Sequence, residues 1–167
     1  MKNKNVLRYQ LIICFVLATS GIAAQTTETK SKVAENFAPY SAMLKKVLGQ
    51  RLDSSAKTFT DMFAADGILE FPYNLTLQNV RLEGKAAIAA QLEKAAGTAI
   101  IDSITNVTVH QTTAPNMVIL EFDGKGHNIK TGHTYKQHYI SVITMSNGYI
   151  IRYVDFFNPL GYKGIYD

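Results

Sequence analysis

The sequence is short of the groups that most often carry thiol, redox and metal chemistry. Among 167 residues it has one cysteine, no tryptophan, four histidines and four prolines. The cysteine, Cys14, lies in a stretch that reads as a secretory signal. Lys2, Lys4 and Arg8 precede an apolar run from Leu11 to Ala18, and small residues follow at Ser20, Gly21, Ala23 and Ala24. That run is too short to span a membrane, which takes about 20 apolar residues. It does not fit a lipoprotein signal either, because Ile12 and Ile13 stand before the cysteine where small residues are required. Cleavage after Ala23 or Ala24 leaves a mature chain with no cysteine, which excludes disulfides, thiol catalysis and thiolate metal sites. A strong charge of one sign is missing too. The formal net charge is +4, and removing Lys2, Lys4 and Arg8 leaves +1. The basic balance therefore belongs to the signal and gives no reason to expect a nucleic-acid partner. The expectation is a secreted or periplasmic protein, free of the membrane after cleavage.

What is present suits one domain with a substantial core: 47% hydrophobic and 18% charged residues. Residues 1–24 are assigned to the signal, 25–34 to a flexible leader and 35–165 to the domain. Tyr40, Met43, Leu44, Val47 and Leu48 recur at helical spacing after Pro39, and Gly49 ends the run. A second short helix is predicted around Phe59, Met62 and Phe63, with Asp66-Gly67 as its exit turn and Ile68 to Phe71 as a short strand halted by Pro72. Leu75 to Leu82 has no clear form. Lys85 to Ala96, with six alanines, predicts a third helix closed by Gly97. Beyond it the period changes to two, over about Ile100–Thr112, Asn116–Phe122, Tyr135–Met145 and Tyr149–Phe157. Asp123-Gly124-Lys125-Gly126 reads as a turn or bulge, and Ser146-Asn147-Gly148 as a tight hairpin. The layout is α+β.

Three stretches resemble the nuclear transport factor 2-like superfamily, which includes ketosteroid-isomerase-like and SnoaL-like proteins. They are FTDMFAADGILEFP (Phe59 to Pro72), RLEGKAAIAAQL (Arg81 to Leu92) and YKQHYISVITMSNGYIIRYVDFFNPLGYKGI (Tyr135 to Ile165). The last, with EFDGKGH (Glu121 to His127), is particularly similar to the small phenazine-biosynthesis pair. The resemblance implies a curved antiparallel sheet wrapped around a cavity and closed by about three N-terminal helices, a cone or α+β barrel. It also implies a homodimer through the convex face. Such a scaffold hosts many reactions, so fold alone does not name one.

On the last strand, Ile151, Tyr153, Asp155 and Phe157 share a face, and the family pattern turns Tyr153, Asp155 and Phe157 into the cavity. An acid in an apolar pocket has its ionised form disfavoured, which suits a proton-transfer group near neutral pH. Asp155 matches the acidic position that is catalytic in SnoaL-like cyclases and is the candidate catalytic residue. The alternative is a satisfied polar group paired with Tyr139 or Gln137. Tyr135, Gln137, Tyr139 and Ser141 share a face of the preceding strand. With Phe71, Tyr73, Tyr153 and Phe157 they are the candidate ligand contacts, or else core, and the expected ligand is a small hydrophobic or aromatic molecule. The steroid isomerase set is vacant: its base position falls on Phe71, its oxyanion tyrosine near Val47 and its protonated acid near Ser141. The phenazine pair's helical histidine is replaced at about Gln91. His127 and His133 flank a Gly/Lys/Asn-rich stretch read as a loop over the pocket, and His138 faces away. Glu121 is expected to pair with Arg152, or alternatively with Asp155. No metal site and no cofactor are expected. The functional expectation is an isomerase, cyclase or dehydratase acting on a small carbonyl compound, with a non-catalytic binding module as the alternative.

Overall fold

The computed structural model describes residues 32–73 and 79–165; the predicted signal and residues 25–31 of the leader lie outside them. Helix α1 (Ala38–Leu48) carries Pro39 in its first turn, and it buries Tyr40, Met43, Leu44 and Leu48. Its stop is Gly49, whose φ of 52° lies in the left-handed region. Helix α2 (Lys85–Ala96) turns Ile88, Leu92 and Ala96 inward. Both match the spacing read from the sequence.

Six strands follow the chain as β1 (Phe63–Phe71), β2 (Val80–Glu83), β3 (Ala99–Gln111), β4 (Met117–Asn128), β5 (Thr134–Ser146) and β6 (Tyr149–Phe157). They form one sheet in the order β2-β1-β6-β5-β4-β3. The architecture is α+β, as expected, but the sheet is mixed, because β1 runs parallel to β6 while the other neighbours are antiparallel. Parallel neighbours need a long connection, and here α2 and the β3–β5 meander supply it. With β2 and β3 as its outer strands the sheet stays open; it is not a closed barrel.

Several elements differ from the sequence reading. The second helix shrinks to a 3-10 turn, Thr60–Met62, and Phe63 already belongs to β1. Asp66-Gly67 is an irregularity inside that strand, with the pairing register to β6 shifting between Phe63 and Ile68. A side chain at Gly67 would come within 2.9 Å of the Ile150 carbonyl, so the glycine permits the close approach of two strands. The formless segment ends in β2, a four-residue edge strand. Asp123 to Gly126 is no turn: it lies within β4, paired to His138 through Tyr135 of β5, and the bulge alternative survives as a shift in register with β3 opposite Lys125 and Gly126. A register shift between Thr144 and Met145 sends Ile150, in place of Ile151, fully into the core.

The burial of β5 alternates cleanly from Tyr135 to Met145. Its inner face (Tyr135, Gln137, Tyr139, Ser141, Ile143) meets the helices, and its outer face is half-exposed or exposed. Glu70 is a buried carboxylate on the outer side. It bridges three strands, with Oε1 2.7 Å from Arg81 Nη1 and Oε2 2.6 Å from Arg152 Nε. Burial opposes its ionisation, yet the two guanidiniums hold its carboxyl below the usual range.

Candidate functional site

Between the inner face of the sheet, α1 and α2 lies a cavity of about 470 Å3. Aromatic rings form much of its wall and of the layer behind it. Phe59, Tyr153 and Phe63 form an edge-on chain with centroids 5.3–5.7 Å apart along Phe59–Phe63 and Phe59–Tyr153. Tyr139 stacks on Phe122 at 5.0 Å. Phe71 and Phe157 meet edge-on at 5.9 Å. Edge-on and offset arrangements are the ones aromatic quadrupoles favour, so these walls are mutually braced.

Asp155 is the carboxylate of this lining. It reaches the cavity because β6 alternates, and its direct cross-strand neighbour on β5 is Ser141. Ser141 Oγ donates to Asp155 Oδ1 at 2.5 Å, and Tyr153 OH donates to Ser141 Oγ at 2.9 Å. The result is a relay, Tyr153 to Ser141 to Asp155, anchored at one carboxylate oxygen. The single proton of each hydroxyl is thereby committed. Burial raises the Asp155 pKa to about 7, against the opposing pull of the Ser141 hydrogen bond. Neither Tyr139 nor Gln137 is its partner.

A second hydroxyl cluster lines the same cavity. Tyr139 and Tyr162 are hydrogen-bonded through their hydroxyls, and Tyr40 is within bonding reach of Tyr139. Burial keeps Tyr40, Tyr139 and Tyr153 well above the ordinary tyrosine pKa, so they act as neutral donors. Tyr40 is supplied by α1, while Tyr162 comes from a 3-10 turn, Pro159–Tyr162, after β6. That turn is pinned by Gln137, whose Nε2 donates to the Asn158 carbonyl at 2.6 Å, and by Asn128, whose Nδ2 donates to the Ile165 carbonyl at 2.6 Å.

The structure brings Asp155, Phe71, Tyr135, Tyr139, Tyr153 and Phe157 together around the cavity. Of the other three candidates, Ser141 is fully buried against Asp155, outside the lining, and two lie elsewhere. Gln137 is buried but spends its amide on the tail, and Tyr73 is 59% exposed and packs on Phe156 away from the lining. Gln91 does line the cavity. Tyr40 and Tyr162 were hidden from sequence reasoning, one as an apolar-stripe residue of a helix and the other beyond the last strand.

The remaining predicted pairings are redrawn. Glu121 bonds His110 and His138 on the outer face, not Arg152 or Asp155, because odd-numbered residues of β4 point outward there. Asp123 also holds His138, at 2.7 Å, and raises the imidazole pKa. His127 sits within β4 against Asp102, at 2.9 Å, so it belongs to a strand and not to a loop over the cavity. His133 precedes β5, beside Gly164. Among the described residues no cluster of three or more His, Cys, Asp or Glu could hold a metal ion.

With this geometry in place, likenesses to known proteins have a structural meaning. Residues 52–153 match the SnoaL-like domain. The chain is 38% identical over 120 residues to the uncharacterised protein YesE of Bacillus subtilis, covering 72% of this chain and 82% of that one. An uncharacterised PhzA/B-like protein of Pseudomonas aeruginosa is 34% identical over 108 residues, covering 65% and 76%. A crystal structure from Bacillus subtilis, described as a proposed isomerase, superposes with a TM-score of 0.63 at 35% identity, covering 83% of this chain and 94% of that one. A phenazine biosynthesis-related protein of Pseudomonas aeruginosa, at 20% identity and a TM-score of 0.57 over 92% and 88%, shares the fold.

Proposed function

The chain belongs to the SnoaL-like domain family, and from that premise we propose that it is an isomerase, cyclase or dehydratase acting on a small apolar carbonyl compound. One observation carries this: a buried carboxylate with a pKa of about 7 stands in an aromatic cavity, fixed through one oxygen. Because Oδ1 accepts from Ser141, Oδ2 is the oxygen left to exchange a proton with a bound molecule. Near neutral pH the acid is divided between its two forms, which suits removal of a proton from carbon and its return elsewhere. In that step Asp155 takes the proton, the C–H electrons become the C=C bond of an enolate, and the carbonyl π electrons move to its oxygen. The tyrosine hydroxyls around Tyr139 supply neutral donors for that oxygen, the stabilisation such steps depend on most. The N-terminal signal pattern supports placing this activity outside the cytoplasm. A homodimer through the outer face, where Ile140 is 43% exposed, belongs to the same proposal.

The test is deuterium exchange at the α-carbon of 2-acetonaphthone in D2O, followed by NMR. The wild type is expected to accelerate exchange, and Asp155→Asn to lose about 100-fold or more of the acceleration. Equal exchange by both proteins would overturn the proton-transfer role and leave a binding module.

A further inference from the structure

The cavity is electrically polar along its depth. At its floor stands Asp155, surrounded by the buried Tyr40, Phe59, Leu69, Tyr139 and Tyr153. At its rim stands Lys94, exposed on the last turn of α2, the one cation among the described lining residues. Its neighbours there, Gln91 and Thr98, are half-buried and neutral. The other lysine of this helix is engaged: Lys85 Nζ reaches the Asp61 carbonyl at 3.3 Å and lies over the Tyr149 ring. Lys94 has no ion pair or side-chain hydrogen bond among the described residues, so its charge is available to a group at the opening. A cation at a helix C-terminus is favoured by the helix dipole, which helps hold it there.

We infer that the cavity selects an anionic amphiphile: an aromatic or alicyclic ketone bearing a carboxylate at the end remote from its carbonyl, with the acid captured at the rim by Lys94. This rests on the proposed reading of Asp155 for which end of the molecule goes inward. The floor favours a neutral carbonyl because the buried carboxylate there repels an anion, and the aromatic walls offer an ionised group nothing to replace its water. A carboxylate left at the rim keeps part of its hydration and gains Lys94. The two ends of the cavity therefore fix the direction in which a molecule enters, and that direction carries the carbonyl to the hydroxyl cluster and its α-carbon to Asp155.

The experiment compares 6-acetyl-2-naphthoate with its neutral methyl ester by calorimetric titration. Wild-type protein is expected to bind the carboxylate about fivefold more tightly, the scale of a partly exposed ion pair. The preference should shrink between about 20 mM and about 0.5 M salt. Lys94→Gln should abolish it without weakening ester binding, and Lys94→Glu should reverse it. Thermal melting of Lys94→Gln should change little, since the side chain is exposed, and Lys94→Glu should melt slightly lower, because it puts an anion at the helix C-terminus. No preference in the wild type, a preference surviving in Lys94→Gln, or binding of neither compound overturns the inference. Asp155→Asn separates the two readings. If it keeps the carboxylate preference while leaving deuterium exchange at the wild-type rate, acid capture by Lys94 stands and the proton-transfer role falls.

Discussion

At Asp155 the burial that tunes the acid also acts on the fold. The carboxyl has a pKa of about 7 in the folded chain, against the ordinary value of 3.8. Below about pH 4 both states are protonated and nothing is at stake. Between about 4 and 7 the folded protein holds a proton that the unfolded chain has released, so stability falls as pH rises, and above about 7 it levels off. The full difference is on the order of 4 kcal/mol at most. Urea unfolding at pH 4 and pH 8.5 should show the wild type losing stability at the higher pH, and Asp155→Asn should remove most of that slope. A slope unchanged in the variant would mean that the acid is ionised without penalty. The same logic separates Asp155 from Glu70. Both are buried, but Glu70 lies against two guanidiniums and Asp155 against the single hydroxyl of Ser141. The first pairing serves structure. The second leaves a group that can change charge.

At the scale of the element, Gly124 and Gly126 explain the largest misreading of the sequence. Asp-Gly-Lys-Gly has turn composition, yet both glycines point inward from β4, and the rings of Tyr139 and Tyr135 lie across them. A side chain at Gly124 would meet the Tyr139 ring at 2.8 Å, and one at Gly126 the Ile100 carbonyl of β3 and, at 2.5 Å, the Tyr135 ring. The glycines are thus the seats of two cavity tyrosines, a long-range arrangement that no local pattern encodes. Gly126→Ala should displace Tyr135 and destabilise the domain by about 1–3 kcal/mol, read as a lower midpoint in thermal unfolding. A wild-type midpoint would show that both the ring and the β3 backbone at Ile100 move aside without cost. What repeats locally was legible: α1 and α2 from their apolar spacing, and β3, β5 and β6 from alternation nearly to their ends. What depends on a neighbour was not. Strand β2 has four residues and owes its form to β1. The bulge at Ile151 is set by register with β5, and the Ser141–Asp155 bond joins residues whose adjacency exists only once β5 and β6 pair. Asp155, Tyr153 and Phe157 could be placed on one face from the sequence, but their hydroxyl partners could not.

Across the whole molecule, the sheet divides by the distance its pairings span along the chain. The β3–β4–β5–β6 meander is made of neighbours joined by short turns, whereas β1 must wait for β6. The Arg152–Glu70 bond that spans this seam joins residues 82 apart. Local pairings form sooner than distant ones, because closing a long loop costs entropy before contacts repay it. Pulse-labelled hydrogen exchange during refolding should therefore protect β4 and β5 before β1, and simultaneous protection would point to a single concerted step. During synthesis the same seam becomes a delay. At about 5–20 residues per second, β1 leaves the ribosome roughly 4 to 16 s before its partner strand can be made. Throughout that interval the β6-facing edge of β1, with Leu69 and Phe71, lacks its partner strand and leaves an apolar segment of the kind that holdase chaperones bind. A chain that travels unfolded before it reaches its compartment would find that delay an advantage.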